Sequence, residues 1–91
     1  MRIRWTTPAA TDLESIKKYL DRHFPHFSRS TVLRLYEGVR SLKTMPERGR
    51  MGLRSGTREL ILAPMPYIIV YRIRENAVEI LRLYHGSQER G

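Results

Sequence analysis

The stretch Tyr67-Ile68-Ile69-Val70-Tyr71-Arg72-Ile73, followed after Arg74 by Glu75-Asn76 and then Ala77-Val78-Glu79-Ile80-Leu81-Arg82-Leu83-Tyr84-His85, decides the fold. Both runs are rich in β-branched and aromatic residues, and the two residues between them suit a tight hairpin. With Glu75-Asn76 as the turn, Ile73 faces Val78, Arg72 faces Glu79, Val70 faces Leu81 and Tyr67 faces Tyr84. Arg72 opposite Glu79 is a favourable cross-strand charge pair, which supports this register. One face then carries Tyr67, Ile69, Tyr71, Ile73, Val78 and Ile80. The other carries Ile68, Val70, Leu81 and Leu83 beside Arg72, Glu79 and His85. A one-residue bulge would exchange these faces.

Upstream, Arg58–Ala63 reads as a third strand of the same meander, joined through a turn at Pro64-Met65-Pro66. Pro46 to Gly56 is a connection rich in Gly and Arg. Before it the period changes from 2 to 3.6. Ala9, Leu13, Ile16, Leu20 and Phe24 line one face of a helix that starts at Thr7-Pro8, with Thr as cap, and stops at Pro25. Val32, Leu35, Val39 and Leu42 line a second helix, capped by Ser28 and ended by Met45-Pro46. Residues 2–5 read as a short strand, with Trp5 in the core. The expected architecture is α+β: a short N-terminal strand, a two-helix hairpin, then a three-stranded antiparallel meander. Two helices cover only one face of such a sheet. The face with the Arg72–Glu79 pair is the expected open one, and its aliphatic residues form an apolar patch rimmed by charge, a protein-binding surface.

The 91 residues provide for a single domain, 1–91. There is no Cys, so neither disulfides nor thiolate metal sites supplement the core. His23 and His26 lack a nearby carboxylate and read as surface residues around Pro25; no metal or cofactor is expected. The start Met1-Arg2-Ile3-Arg4-Trp5 lacks the apolar stretch of a signal peptide, and no segment approaches ~20 apolar residues. The expected location is the cytoplasm, with no membrane partner. Seventeen Lys and Arg against nine Asp and Glu give a net charge of +8, which favours acidic or polyanionic partners. Asp12 and Glu14 read as charges that complement the helix dipole.

Ala10-Thr11-Asp12-Leu13 with Ile16 and Tyr19-Leu20, Pro46-Glu47-Arg48-Gly49-Arg50, Gly56-Thr57-Arg58-Glu59-Leu60, Tyr67–Ile73 and Val78–Gly86 together resemble the RelE/ParE toxin superfamily of type II toxin–antitoxin systems. The resemblance spans nearly the whole chain. It implies a toxin held inactive by a cognate acidic antitoxin that folds on binding, with operator DNA contacted only through the antitoxin. Ile68, Val70, Leu81 and Leu83 would receive the antitoxin. Arg48, Arg50, Arg54 and Arg58 would meet the target or its nucleic acid.

The superfamily divides between ribosome-dependent mRNA cleavage, the RelE type, and poisoning of DNA gyrase, the ParE type. Cleavage through a 2′-hydroxyl needs a base, an acid and cations at the phosphate. His85, Tyr84, Arg82 and Arg58 have suitable chemistry for a RelE-like centre. Many RelE-type members, however, carry Arg where this chain has Ile68, and loss of such a cation removes stabilisation of about 3 kcal/mol. The ending Leu83-Tyr84-His85-Gly86 is more similar to ParE-type chains, although some ribonuclease members also end in a Tyr-His pair. The resemblance therefore points first to gyrase and second to ribosome-bound mRNA. A non-toxic basic nucleic-acid-binding module is a third reading, without a recognised DNA- or RNA-reading motif.

Overall fold

The two alternating runs form the longest strands, β4 (Tyr67–Arg74) and β5 (Ala77–His85), in a computed structural model that describes residues 1–87. Between them Glu75 and Asn76 sit at φ 53° and 59°, both left-handed, as a two-residue turn that follows the twist of the strands requires. The remaining elements are β1 (Arg2–Trp5), α1 (Thr7–His23), α2 (Pro25–Ser41), β2 (Arg50–Met51) and β3 (Arg58–Ile61). The sheet order is β1-β5-β4-β3-β2, with β1 parallel to β5 and the other pairs antiparallel. The class is α+β, as the patterning implies. The strand count is five, because Arg50-Met51 within the Gly- and Arg-rich connection pairs with Arg58-Glu59. The third strand ends at Ile61 rather than Ala63.

The expected hairpin register holds next to the turn, where Ile73 faces Val78, Arg72 faces Glu79 and Tyr71 faces Ile80. It then slips. Val70 faces Arg82 rather than Leu81, Ile69 faces Leu83, Ile68 faces Tyr84, and Tyr67 faces His85 rather than Tyr84. Leu81 is thus an extra residue in β5, a β-bulge, and every residue beyond it exchanges faces. Leu83, expected on the open face, is 3% exposed inside the core cluster with Ile69, Tyr71, Val78 and Ile80. His85 moves to the helix-covered side, and Tyr84 moves to the open side.

Both helices lie against the face that carries Ile69, Tyr71 and Ile80, and Ala9, Leu13, Leu35, Val39 and Leu42 complete the core. Trp5 is partly buried at its edge, 5.9 Å from the ring of Tyr36. The cap of α1 is Thr6, one residue before the expected Thr7: its hydroxyl oxygen accepts from the Ala9 N–H and its hydroxyl donates to the Ile80 carbonyl. One side chain thereby joins the helix start to the central strand. Helix α2 begins at Pro25, so Ser28 lies inside it and does not cap it. Ser28 is buried and its hydroxyl donates instead to Asp21 on α1, locking the hairpin. The same helix ends at Ser41, before Met45-Pro46, as its closing bonds tighten to Leu42 N–H with Val39 and Lys43 N–H with Arg40. Asp12 and Glu14 both lie beyond the first turn of α1.

Tyr71 ties the 46–50 connection to the sheet. Its hydroxyl accepts from the Gly49 N–H at 2.8 Å and donates to the Pro46 carbonyl at 2.7 Å, while the side chain is fully buried. Burial raises the Tyr71 pKa above its ordinary value. A Cβ on Gly49 would meet the Tyr71 hydroxyl at 2.7 Å, so only glycine allows this approach. Tyr71→Phe leaves a backbone donor and acceptor unpaired. It should cost about 1–3 kcal/mol in urea unfolding, and an unchanged midpoint would contradict this anchoring role.

Candidate functional site

The open face of the sheet is built by the residues that alternate away from the helices. Arg50 and Glu59 pair across β2 and β3, Val70 lies beside Glu59 on β4, Arg72 faces Glu79 on β5, and Glu79 lies beside Arg4 on β1. Past the bulge, Arg82 and Tyr84 join this face opposite Val70 and Ile68. Leu53, Arg54, Thr57, Glu59, Val70, Leu81, Arg82 and Tyr84 enclose a hollow of about 300 Å³ on it. Its floor is apolar and its rim is charged, as the sequence pattern implies, but Leu83 is absent from it. Ile68 is 7% exposed and lies outside the main core cluster, beside Ile61 and Tyr84.

Four arginines of this face are bonded to three carboxylates. Glu79 accepts from Arg72 Nε at 2.6 Å and from Arg4 at 2.9 Å. Glu59, 4% exposed, accepts from Arg50 at 3.1 Å. Arg82 makes a two-pronged contact with Asp12 at 2.7 and 3.0 Å, and its guanidinium lies 5.0 Å from the centre of the Tyr84 ring. Hydrogen bonding to Asp12 raises the Arg82 pKa further. Asp12 also accepts from the Leu83 N–H at 2.9 Å. Since β1 pairs with β5 only as far as Ile80, a carboxylate from α1 takes the place of a strand partner at the next open position.

The four residues proposed for an RNA-cleaving centre do not assemble: Arg82 and Tyr84 line the open hollow together, apart from His85 and Arg58. Arg82 is held by Asp12. Tyr84 is on the open face, whereas His85 is on the other, edge-on to Tyr67 at 5.6 Å and bonded through Nδ1 to Ser87 Oγ at 2.8 Å. His85 borders an apolar hollow of about 700 Å³ with Tyr19, Phe24, Met65 and Tyr67. Arg58 lies opposite Tyr71 and donates to the Gly49 and Glu47 carbonyls at 2.9 and 3.3 Å, so it braces the connection. Of the four expected target contacts, Arg48 donates to Ser41 and Arg50 is paired with Glu59. Arg54 stands on the rim of the open hollow, its carbonyl accepting from the Thr57 N–H and hydroxyl and its side chain paired with no acid among the described residues.

The residues that sequence reasoning missed are carboxylates and their partners. Arg72–Glu79 was legible from the turn; Arg4 and Asp12 were not, because they lie 75 and 70 positions from their partners. Among the described residues no cluster of three or more His, Cys, Asp or Glu could hold a metal ion, and no helix is long and apolar enough to cross a membrane.

Residues 3–90 match the family model of the ParE toxin of the type II toxin–antitoxin system parDE. The chain is 42% identical over 88 residues to the putative toxin Y4kP of Sinorhizobium fredii, covering 97% of this chain and 91% of that one. It is 34% identical over 87 residues to toxin RelE2 of Caulobacter vibrioides, covering 96% and 97%. Among solved structures it resembles the chromosomal ParDE system of P. aeruginosa with a TM-score of 0.85 and 27% identity, over 93% of this chain and 95% of that one. It also resembles the RelBE2 toxin–antitoxin complex of Mycobacterium tuberculosis, with a TM-score of 0.59 and 28% identity over 92% and 95%.

Hydrogen bonds from Arg72 and then Arg4 hold the Glu79 carboxyl below its ordinary pKa of 4.5. Its contribution to stability is therefore complete above that value and is lost as pH falls through the lower, folded-state value. Asp21, lowered by Ser28 and Lys17, acts in the same direction. Glu79→Gln should make the loss of stability below about pH 4.5 shallower, as followed by thermal melts. An unchanged acid limb would remove Glu79 from this role.

Proposed function

The chain belongs to the ParE toxin family of type II toxin–antitoxin systems, and from that membership we propose that it arrests growth as a ParE-like poison of DNA gyrase. A cognate antitoxin restrains it, in keeping with the toxin–antitoxin systems that it resembles in structure. The observation that carries the choice of target is the distribution of chemistry about the sheet. A phosphodiester on the open face would meet arginines already bonded to carboxylates, save Arg54 at the rim, and no imidazole beside Tyr84. Acid–base catalysis needs both proton-transfer groups within reach of one phosphate, and strand alternation puts the adjacent Tyr84 and His85 on opposite faces of the sheet.

A surface suited to protein contact remains. Leu53, Val70, Leu81 and Tyr84 offer an apolar floor, and Ile68 and Ile61 extend it. Ile68, Val70 and Leu81 are the residues of this face that we assign to the antitoxin, with Arg54 at the rim for an acidic side chain. The target surface is separate in this reading and needs no catalytic group.

The second reading, ribosome-dependent cleavage of mRNA, draws support from the likeness to toxin RelE2 and to the RelBE2 complex. His85→Ala separates the two. For a gyrase poison the variant should arrest growth as the parent chain does, with DNA breaks and an SOS response that co-expression of the antitoxin relieves. For a nuclease that uses His85, the substitution removes proton transfer worth about 10²–10⁴ in rate, and growth should resume. Relief of toxicity by His85→Ala, at equal soluble expression, would overturn the proposed reading.

A further inference from the structure

Most of the excess positive charge does not lie on the open face. Arg4, Arg50, Arg72 and Arg82 are each bonded there to a carboxylate, and Lys17, Lys18 and Arg74 are paired elsewhere. Arg2, Arg40 and Lys43 are exposed, and their side chains engage no acid among the described residues. These three converge from β1 and the end of α2 on one broad, shallow hollow of about 840 Å³, closed on its far side by the Glu75-Asn76 turn. The one carboxylate there, Glu75, is taken by Arg74 at 3.4 Å. Arg29, another exposed and unpaired cation, precedes Arg40 on α2 by three helical turns on the same face, about 16 Å away.

We propose that Arg2, Arg40 and Lys43 form a binding surface for the phosphodiester backbone of duplex DNA, contacted by this chain directly and without sequence preference. Guanidinium groups match phosphate geometry, and a group of unpaired cations gains affinity from release of condensed counterions. No aromatic side chain lines the hollow. It therefore lacks the stacking platform that single strands use. Its apolar lining is limited to Met1 and Ile3, little for an amphipathic peptide to bury. The surface lies apart from the apolar hollow assigned to the antitoxin, and the proposal holds whichever target the toxin acts on.

The test uses the purified chain and a fluorescein-labelled 20-base-pair duplex of arbitrary sequence, with fluorescence anisotropy over a series of KCl concentrations. The parent chain should bind with a log–log salt slope near −3, as about three phosphate contacts require. Arg2→Gln, Arg40→Gln and Lys43→Gln together should weaken binding at least tenfold at 100 mM KCl and flatten the slope. A control with the same charge change, Lys18→Gln, Arg22→Gln and Arg34→Gln, should lose less than threefold. Circular dichroism melts establish that both variants are folded; if the triple variant is not, Lys43→Gln alone, beyond the end of α2, should still lose at least twofold and flatten the slope. Absence of binding by the parent chain, equal loss in the two triple variants, or tighter binding of a single strand of equal length would overturn the proposal. So would a triple variant that keeps its DNA affinity while losing that for an acidic antitoxin peptide.

Discussion

Leu81 has no opposite number on β4, and the choice of side for every residue after it depends on that one excess position. A side chain in a strand alternates faces with each residue, so one insertion reverses the alternation from that point onward. Before the bulge, Val78 and Ile80 point into the core; after it, Leu83 does so too, where an unbroken ladder would have sent it outward. The core thus recruits an aliphatic residue from β5 on both sides of the bulge. The same reversal carries Arg82 and Tyr84 outward and places His85 against Tyr67. Burial of apolar surface at Leu83, worth roughly 1.5–3 kcal/mol, stabilises the slipped register over the regular one.

The slipped register would leave the Leu83 N–H without a strand partner, since β1 stops pairing at Ile80. Asp12 supplies the acceptor and with the same carboxylate holds Arg82. Helix α1 is fixed to that place by Thr6, which both caps the helix and bonds the Ile80 carbonyl. Bulge, cap and carboxylate therefore act as one unit, and it consumes the guanidinium that a phosphate-binding centre would need. Glu59 and Glu79 consume three more. A strongly basic chain consequently presents a sheet whose arginines are mostly bonded to carboxylates and carries most of its uncompensated cations elsewhere, chiefly on α2 and at the start of β1.

Local signals in the sequence were the most legible. The apolar spacing of both helices, the Glu75-Asn76 turn and the Arg72–Glu79 pair each depend on residues close together in the chain, where period and turn chemistry speak directly. Three features were hidden because distant segments decide them. The bulge reflects competition between hydrogen-bond register and core burial, which no short window contains. Ser28 has the chemistry of a cap, but Pro25 starts the helix earlier and Asp21 claims the hydroxyl. Arg58 looks like a free cation in the run Gly56-Thr57-Arg58, and only the folded connection shows it bonded to the Glu47 and Gly49 carbonyls. The candidate site was legible as a list of residue types, and misleading as a constellation, because alternation along β5 puts His85 on the face opposite Arg82 and Tyr84 and Arg58 is bonded into the connection.

We propose that this toxin carries no assembled centre for RNA cleavage among its described residues and acts through gyrase. The most direct measurement incubates the purified chain in parallel with gyrase and supercoiled plasmid, and with ribosomes translating a defined mRNA. Accumulation of gyrase-linked plasmid breaks, with the mRNA intact by primer extension, is the predicted result. Cleavage of the mRNA at the ribosomal A site, with gyrase unaffected, would contradict it.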